Sequence, residues 1–167
     1  MSNSICEENN FRDSYLTHSE HLRNFLYYKS GNLKLSEDLV QDAFTKMWEN
    51  CSKVALHKVK SYLFTVAHNL FINKVHHEKV VLKFQKTTVK TTNLQDPQFL
   101  LEEQEFKMRL ESAISNLPEG QRIVFLMNRI DKKKYREIAE ELNISVKAVE
   151  KRMHLAISTL RKIHKEV

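Results

Sequence analysis

Among 167 residues this chain has only two glycines, Gly31 and Gly120, and two prolines, Pro97 and Pro118. Tight hairpins need residues that accept positive φ, and phosphate-cradling loops need glycine, so there is almost nothing here with which to connect strands. The scarcity points to an all-α fold. A charged fraction of 29% beside a hydrophobic fraction of 41% suits amphipathic helices around modest cores. The longest unbroken apolar run, Ile123-Val124-Phe125-Leu126-Met127, is far too short to cross a bilayer. Residues 1–10 are polar, lack a signal-peptide pattern and are expected to be disordered. The reading is a cytoplasmic protein without membrane insertion, whose two cysteines, Cys6 and Cys51, remain thiols without a function.

The net charge of +6 is unevenly spread. Residues 1–57 hold 6 Lys/Arg against 8 Asp/Glu, residues 58–97 hold 7 against 2, residues 98–117 hold 2 against 4, and residues 118–167 hold 12 against 7. Two basic blocks alternate with two acidic ones, a pattern that fits two places where a polyanion is gripped and other surfaces left for a protein. Ordinary solvated helix faces would give the same balance, so charge alone does not decide.

Apolar residues at helical steps predict a first helix over residues 11–29, ended by Ser30-Gly31-Asn32. Ser36, followed by Glu37 and Asp38, reads as the cap of a second helix carrying Leu39, Val40, Ala43, Phe44, Met47 and Trp48. A third spans about residues 58–77. Periodicity then fades, and residues 79–96 read as a flexible linker. Asp96-Pro97 opens another helix, because proline is tolerated at a first helical position. Two small helical domains follow, residues 11–78 and 97–167, each only modestly stable alone.

Residues 135–160 carry the sharpest local pattern, a helix-turn-helix. Ala139 is the small contact, Asn143 suits the left-handed turn position, and Ile138, Leu142, Ile144, Val149 and Met153 fill the corner. Ser145 can cap the second helix. With Val149, Met153, Ala156 and Leu160 on one side, Lys147, Glu150, Lys151, His154 and Ser158 face outward. In such a motif Lys147, Lys151 and His154 reach base edges while Arg152 and Lys132 to Lys134 hold phosphates. Glu150 either accepts from a cytosine amino group or repels phosphate.

In the first domain, Trp48, Tyr62, Phe64 and Phe71 lie near Lys58, Lys60, His68, Asn69, Asn73, Lys74, His76 and His77. Such aromatics are usually core. Interleaved with cations they are also what an unstacked nucleic-acid strand needs. The histidines lack one-turn spacing and a thiol partner, so no metal is expected, and no cofactor either. There is no glycine-rich phosphate loop and no carboxylate pair beside a nucleophile, so no enzyme is expected.

Ser36-Glu37-Asp38-Leu39-Val40-Gln41-Asp42-Ala43-Phe44, then Ser61-Tyr62-Leu63-Phe64-Thr65-Val66-Ala67-His68-Asn69, then Leu117-Pro118 and the helix-turn-helix ending Leu160-Arg161-Lys162 resemble a bacterial extracytoplasmic-function RNA polymerase sigma factor (sigma-70 family, group 4). The likeness covers about residues 11–162, and the last helix is most similar to the iron-citrate-type group. It implies a region 2-like bundle and a region 4-like helix-turn-helix joined by the linker. Asp38, Leu39, Gln41, Asp42 and Phe44 would bind the β′ clamp helices of core polymerase. Lys58, Ser61, Tyr62, His68, Asn69, Asn73, Lys74 and His77, with the connection 50–58, would read the melted minus-ten element. Ser145, Lys147, Glu150, Lys151, Arg152 and His154 would read the minus-thirty-five element as duplex. Implied partners are core polymerase, including the β flap, promoter DNA and an anti-sigma factor.

The chain departs from that family where an Arg is usual at His68, an Asp at Asn73, arginines at His76-His77 and a Thr at Ala148. Histidine titrates near neutrality, so the minus-ten grip is expected to be weaker or pH-sensitive. The reading from another functional class is an operator-binding regulator using the same helix-turn-helix, which would not need the acidic block at residues 37–44.

Overall fold

Leu22, Phe25 and Leu26, then Leu39, Val40, Ala43, Phe44 and Met47, then Leu63, Phe64, Ala67 and Phe71 recur at three- and four-residue steps, and all are buried. In a computed structural model, described for residues 4–75 and 97–164, these rows lie on helices α1 (Glu8–Ser30), α2 (Leu33–Glu49) and α3 (Val59–Val75). Two short 3-10 turns, Cys51–Lys53 and Leu56–Lys58, connect α2 to α3. A second group follows: α4 (Pro97–Ser115), α5 (Glu119–Arg129), α6 (Tyr135–Leu142) and α7 (Val146–His164). The all-α expectation holds, with Pro97 as the first residue of its helix. The expected linker, His76 and His77 lie outside the described residues.

Three local expectations are corrected. Residues 4–10 are ordered: Ile5 is fully buried, Ser4 forms an isolated antiparallel bridge with Ala55, and α1 starts at Glu8. Burying one isoleucine is worth roughly 1.5–3 kcal/mol, enough to hold a short segment that composition alone marks as loose. Second, Cys6 and Cys51 are joined in a disulfide with Cα atoms 5.0 Å apart, so they are not free thiols here. Third, α2 begins three residues before Ser36. Asn32 is its cap, accepting from the Leu35 N–H at 3.1 Å, and the early start adds Leu35 to the buried face. Ser36 is fully buried inside the helix, its hydroxyl donating to the Asn32 carbonyl at 2.7 Å and lying 3.1 Å from the Ser30 hydroxyl.

The helix-turn-helix forms as expected. At the start of α6 the Glu137 carboxylate accepts from the Lys134 N–H at 2.7 Å. The helix ends at Asn143, held at φ 52°, and the Ile144 N–H donates back to Ala139 O at 3.0 Å, a Schellman-type closure. The Ser145 hydroxyl accepts from the Ala148 N–H at 3.2 Å, and Val149, Met153 and Ala156 face inward.

The two helical groups are not merely tethered. Helices α1 and α3 pack against α5 and α6, and the buried side chains of both groups join in one apolar cluster. Each group therefore gains burial that it would lack alone.

Candidate nucleic-acid and polymerase interface

On α2 the acidic and amide side chains Asp38, Gln41 and Asp42 are exposed, three and four residues apart and so on one face, with Glu37 beside them. Leu39 and Phe44 are buried, which removes them from direct contact with a partner. Phe44 instead builds the seam between α1 and α2, its ring 4.9 Å from Tyr15 and 6.1 Å from Phe11, while Phe11 lies edge-on to Trp48 at 5.0 Å.

Along the α2–α3 connection and α3, the exposed residues include Lys58, Ser61, Asn69, Asn73 and Lys74. Tyr62 is half-buried with its hydroxyl 3.4 Å from the Lys46 carbonyl, leaving only part of its ring to a base. His68 points elsewhere. Its Nδ1 lies 3.0 Å from the Lys29 ammonium at the junction with the second group, and because lysine only donates, Nδ1 is the acceptor and the ring is neutral. Burial and the Lys29 charge hold His68 below the ordinary histidine range, against a weaker opposing effect of Glu119.

Ser145, which caps α7, and Lys147, Glu150, Lys151 and His154 on its outer face are exposed, as an element that enters a groove requires. Arg152 does not join them. It is half-buried and lies over Gly120 at the start of α5, where a Cβ would come within 3.3 Å of its Cζ. Lys133 is also drawn inward, its ammonium 2.6 Å from the Glu141 carboxylate, so only Lys132 and Lys134 of that run are exposed.

Sequence reasoning missed the residues that join the two groups. Lys29 is buried at the end of α1, 2.7 Å from Glu119, and sits over the ring of Phe71 at 4.9 Å. Glu141, its side chain 2% exposed, bridges Lys133 and, at 2.7 Å, Lys60 of α3. Asp131 accepts from the Tyr28 hydroxyl at 2.8 Å and the Asn24 amide at 3.1 Å. Arg122 is buried and donates to the carbonyls of Tyr28 and Lys29 in α1 and of Ser115 and Leu117 before α5. A signal was present: Lys29 continues the apolar row of Leu22, Phe25 and Leu26, and a cation on such a row must find partners.

Residues 15–79 match the sigma-70 region 2 family and residues 107–160 the sigma-70 region 4 family. The RNA polymerase sigma factor YlaC of Bacillus subtilis is 26% identical over 157 residues, spanning 90% of this chain and 89% of its own. The ECF RNA polymerase sigma factor SigW of the same organism is 26% identical over 93% of this chain and 89% of its own. The chain is an extracytoplasmic-function sigma factor. As such it directs RNA polymerase to promoters and is not itself an enzyme. The expected special likeness of this sigma factor to the iron-citrate group is not supported: the ferric citrate uptake sigma factor FecI of Escherichia coli is 24% identical over 150 residues, spanning 88% of this chain and 86% of its own, no more than the Bacillus proteins. The sigma factor's fold is that of CnrH, solved in complex with the cytosolic domain of CnrY, with a TM-score of 0.61 at 20% identity over 96% of this chain and 90% of that one. It is likewise that of RpoE from Bartonella quintana, solved with the anti-sigma factor NepR, with a TM-score of 0.61 at 21% identity over 93% and 96% of the two chains. Among the described residues, no helix is long and apolar enough to cross a membrane.

Proposed function

We infer that the sigma factor divides its work between its two helical groups. The exposed row Asp38, Gln41 and Asp42 docks on the β′ clamp helices. The connection 50–58, with Lys58, Ser61, Asn69, Asn73 and Lys74, reads the melted minus-ten strand. The outer face of α7, with Ser145, Lys147, Glu150, Lys151 and His154, reads the minus-thirty-five duplex. The observation that carries this reading is the separation of an exposed acidic row on α2 from an exposed basic face on α7, each inside a region that matches its family counterpart. An operator-binding regulator has no use for the first. That two structural relatives were solved with partner proteins, one of them named as an anti-sigma factor, supports an anti-sigma partner here too.

Centres 25 base pairs apart on B-form DNA lie about 85 Å from one another, far more than two touching helical groups can reach. The contact through Arg122, Lys29 and Glu141 is therefore a resting arrangement that opens when both elements are engaged. The test is run-off transcription with purified core polymerase, together with charge reversal at Asp38 and Asp42. The expected outcome is loss of core binding with duplex binding intact; a wild-type chain that never retains core would overturn the reading in favour of the regulator.

A further inference from the structure

The disulfide lies outside every role assigned above. Cys6 follows the buried Ile5, Cys51 opens the first 3-10 turn after α2, and both are half-buried. Their bond fixes the segment ahead of α1 to the connection between α2 and α3, and the same segment pairs through Ser4 with Ala55, in the middle of that connection. Beyond Ile5 and the bond, the segment is held by small polar contacts: the Asn10 amide donates to Ser4 O at 2.8 Å, and the Cys6 N–H to the Ser4 hydroxyl at 3.2 Å. A polymerase subunit works among thiols kept reduced by glutathione and thioredoxin, where a disulfide that does form is usually transient and redox-sensing. A staple that depends on redox conditions thus sits on the segment whose outer residues Ser52, Lys53, Ala55, His57 and Lys58 are exposed.

We propose that Cys6 and Cys51 form a reversible thiol–disulfide site, oxidised by hydroperoxides, whose bonded form clasps residues 4–6 across the connection 50–58 and lowers promoter melting. The step balances. One cysteine thiolate attacks a peroxide oxygen, the O–O bond breaks, and a sulfenic acid forms while the other oxygen takes a proton and leaves as water from hydrogen peroxide or as an alcohol from an organic hydroperoxide; the second thiol attacks the sulfenic sulfur and expels water. Two thiols lose two electrons and two protons, and a dithiol reductant returns them. The bonded form lowers melting because it holds residues 4–6 against Ala55 and the rest of the connection, which a single strand would otherwise meet. In the reduced form only Ile5 and the weak polar contacts hold the segment, with no covalent tie, and the connection opens more readily.

The role in melting rests on the minus-ten reading, while the clasp itself does not, and the experiment separates them. The full-length chain is treated with hydrogen peroxide or dithiothreitol, desalted, alkylated with iodoacetamide and weighed. A reversible loss of 2 Da with both cysteines protected is expected, and sulfinic or sulfonic products without that loss would overturn the site. Hydrogen exchange at residues 50–58 is expected to slow at least tenfold on oxidation, with no response in Cys6→Ser or Cys51→Ala; equal exchange in both redox forms overturns the clasp. The desalted proteins are then added to core polymerase, and promoter melting is read by permanganate footprinting. At least threefold less melting is expected from the oxidised wild type, with minus-thirty-five duplex binding unchanged. Equal melting overturns the control of initiation. If exchange responds but neither redox form melts any promoter, the clasp stands and the minus-ten reading falls.

Discussion

The buried guanidinium of Arg122 donates through Nε to the carbonyl oxygen of Tyr28 at 2.9 Å, so a side chain of α5 satisfies the last turn of α1. Helix ends leave carbonyls without intrahelical partners, and one is met here by a cation from the other helical group. Arg122 also collects Lys29 O at 3.3 Å, Ser115 O at 3.1 Å and Leu117 O at 2.8 Å, which makes it the centre of the contact. Burial lowers its pKa from the ordinary arginine value, with Glu119 acting in the opposite direction. Replacing it by methionine keeps the volume but strands these buried acceptors, and a loss of about 3 kcal/mol is expected. Urea unfolding measures that loss, and X-ray scattering should show a larger radius of gyration than for the wild type; an unchanged radius with full stability would show that Arg122 does not hold the groups together.

Glu141 makes an asymmetric test. Its partner Lys133 is buried, whereas Lys60 is 44% exposed. Removing the carboxylate in Glu141→Ala leaves a buried ammonium unpaired and should cost about 3–5 kcal/mol. Lys60→Gln breaks only the solvent-facing half and should cost at most about 1 kcal/mol. Chemical denaturation of the two variants compares them directly, and similar losses would contradict the assigned burial.

Acid should weaken the contact between the groups. Burial, then the Lys29 charge, lowers the His68 pKa, and burial, then Lys60 and His21, lowers that of His18. A histidine held below its unfolded value of 6.5 binds fewer protons folded than unfolded, so its stabilising contribution is complete above pH 6.5 and is lost as pH falls below it. Protonation also turns His68 Nδ1 from an acceptor into a donor facing an ammonium. The thermal midpoint should therefore fall as pH drops below 6.5, and His68→Gln should flatten that slope. A wild-type midpoint that is level across this window would refute the assignment.

The turn of the helix-turn-helix depends on Asn143, which occupies the left-handed region at φ 52°. A branched side chain is poorly tolerated there, so Asn143→Val should cost about 1–2 kcal/mol, while Asn143→Gly should be nearly neutral. Duplex binding by α7 should follow stability in this pair; weaker binding by the glycine variant than by the valine variant would rule out backbone conformation as the cause.

On α7 the expectation for Arg152 changes with its position. Because it packs over Gly120 rather than facing outward, Arg152→Ala should lower stability and leave the salt dependence of DNA binding unaltered. Lys151, on the exposed face, should set preference: Lys151→Ala is expected to cost about 1–3 kcal/mol on the favoured minus-thirty-five sequence and less on others. Binding titrations across salt concentrations and sequences distinguish the two.

Much of this was legible in the sequence, because the helices and the helix-turn-helix rest on local physics. Apolar spacing, the αL-tolerant Asn143 and the capping Ser145 each act within a few residues, and all three sit where they were expected. The start of α2 was misjudged because Asn32 and Ser36 both offer a capping oxygen, and the burial of Leu35 decides between them. Pairings such as Cys6 with Cys51, Lys60 with Glu141, and Arg122 with Tyr28 join positions 45 to 94 residues apart. No periodicity links such positions, so only the assembled fold reveals them.

The contact between the helical groups has a soft edge and a firm middle, which gives its opening an order. The Lys60–Glu141 pair lies at the wet margin, where mobile ions compete with it, while Arg122 is closed off from them. When Lys60 lets go, Glu141 keeps Lys133 and the corner of the DNA-reading motif is not penalised. Separation thus peels from the α3 side, and the first cation set free is one that stands beside the nucleic-acid face. On the proposed reading of that face, a phosphate backbone arriving there would take the place the carboxylate has vacated, and promoter DNA would help to pry apart the arrangement that keeps it out.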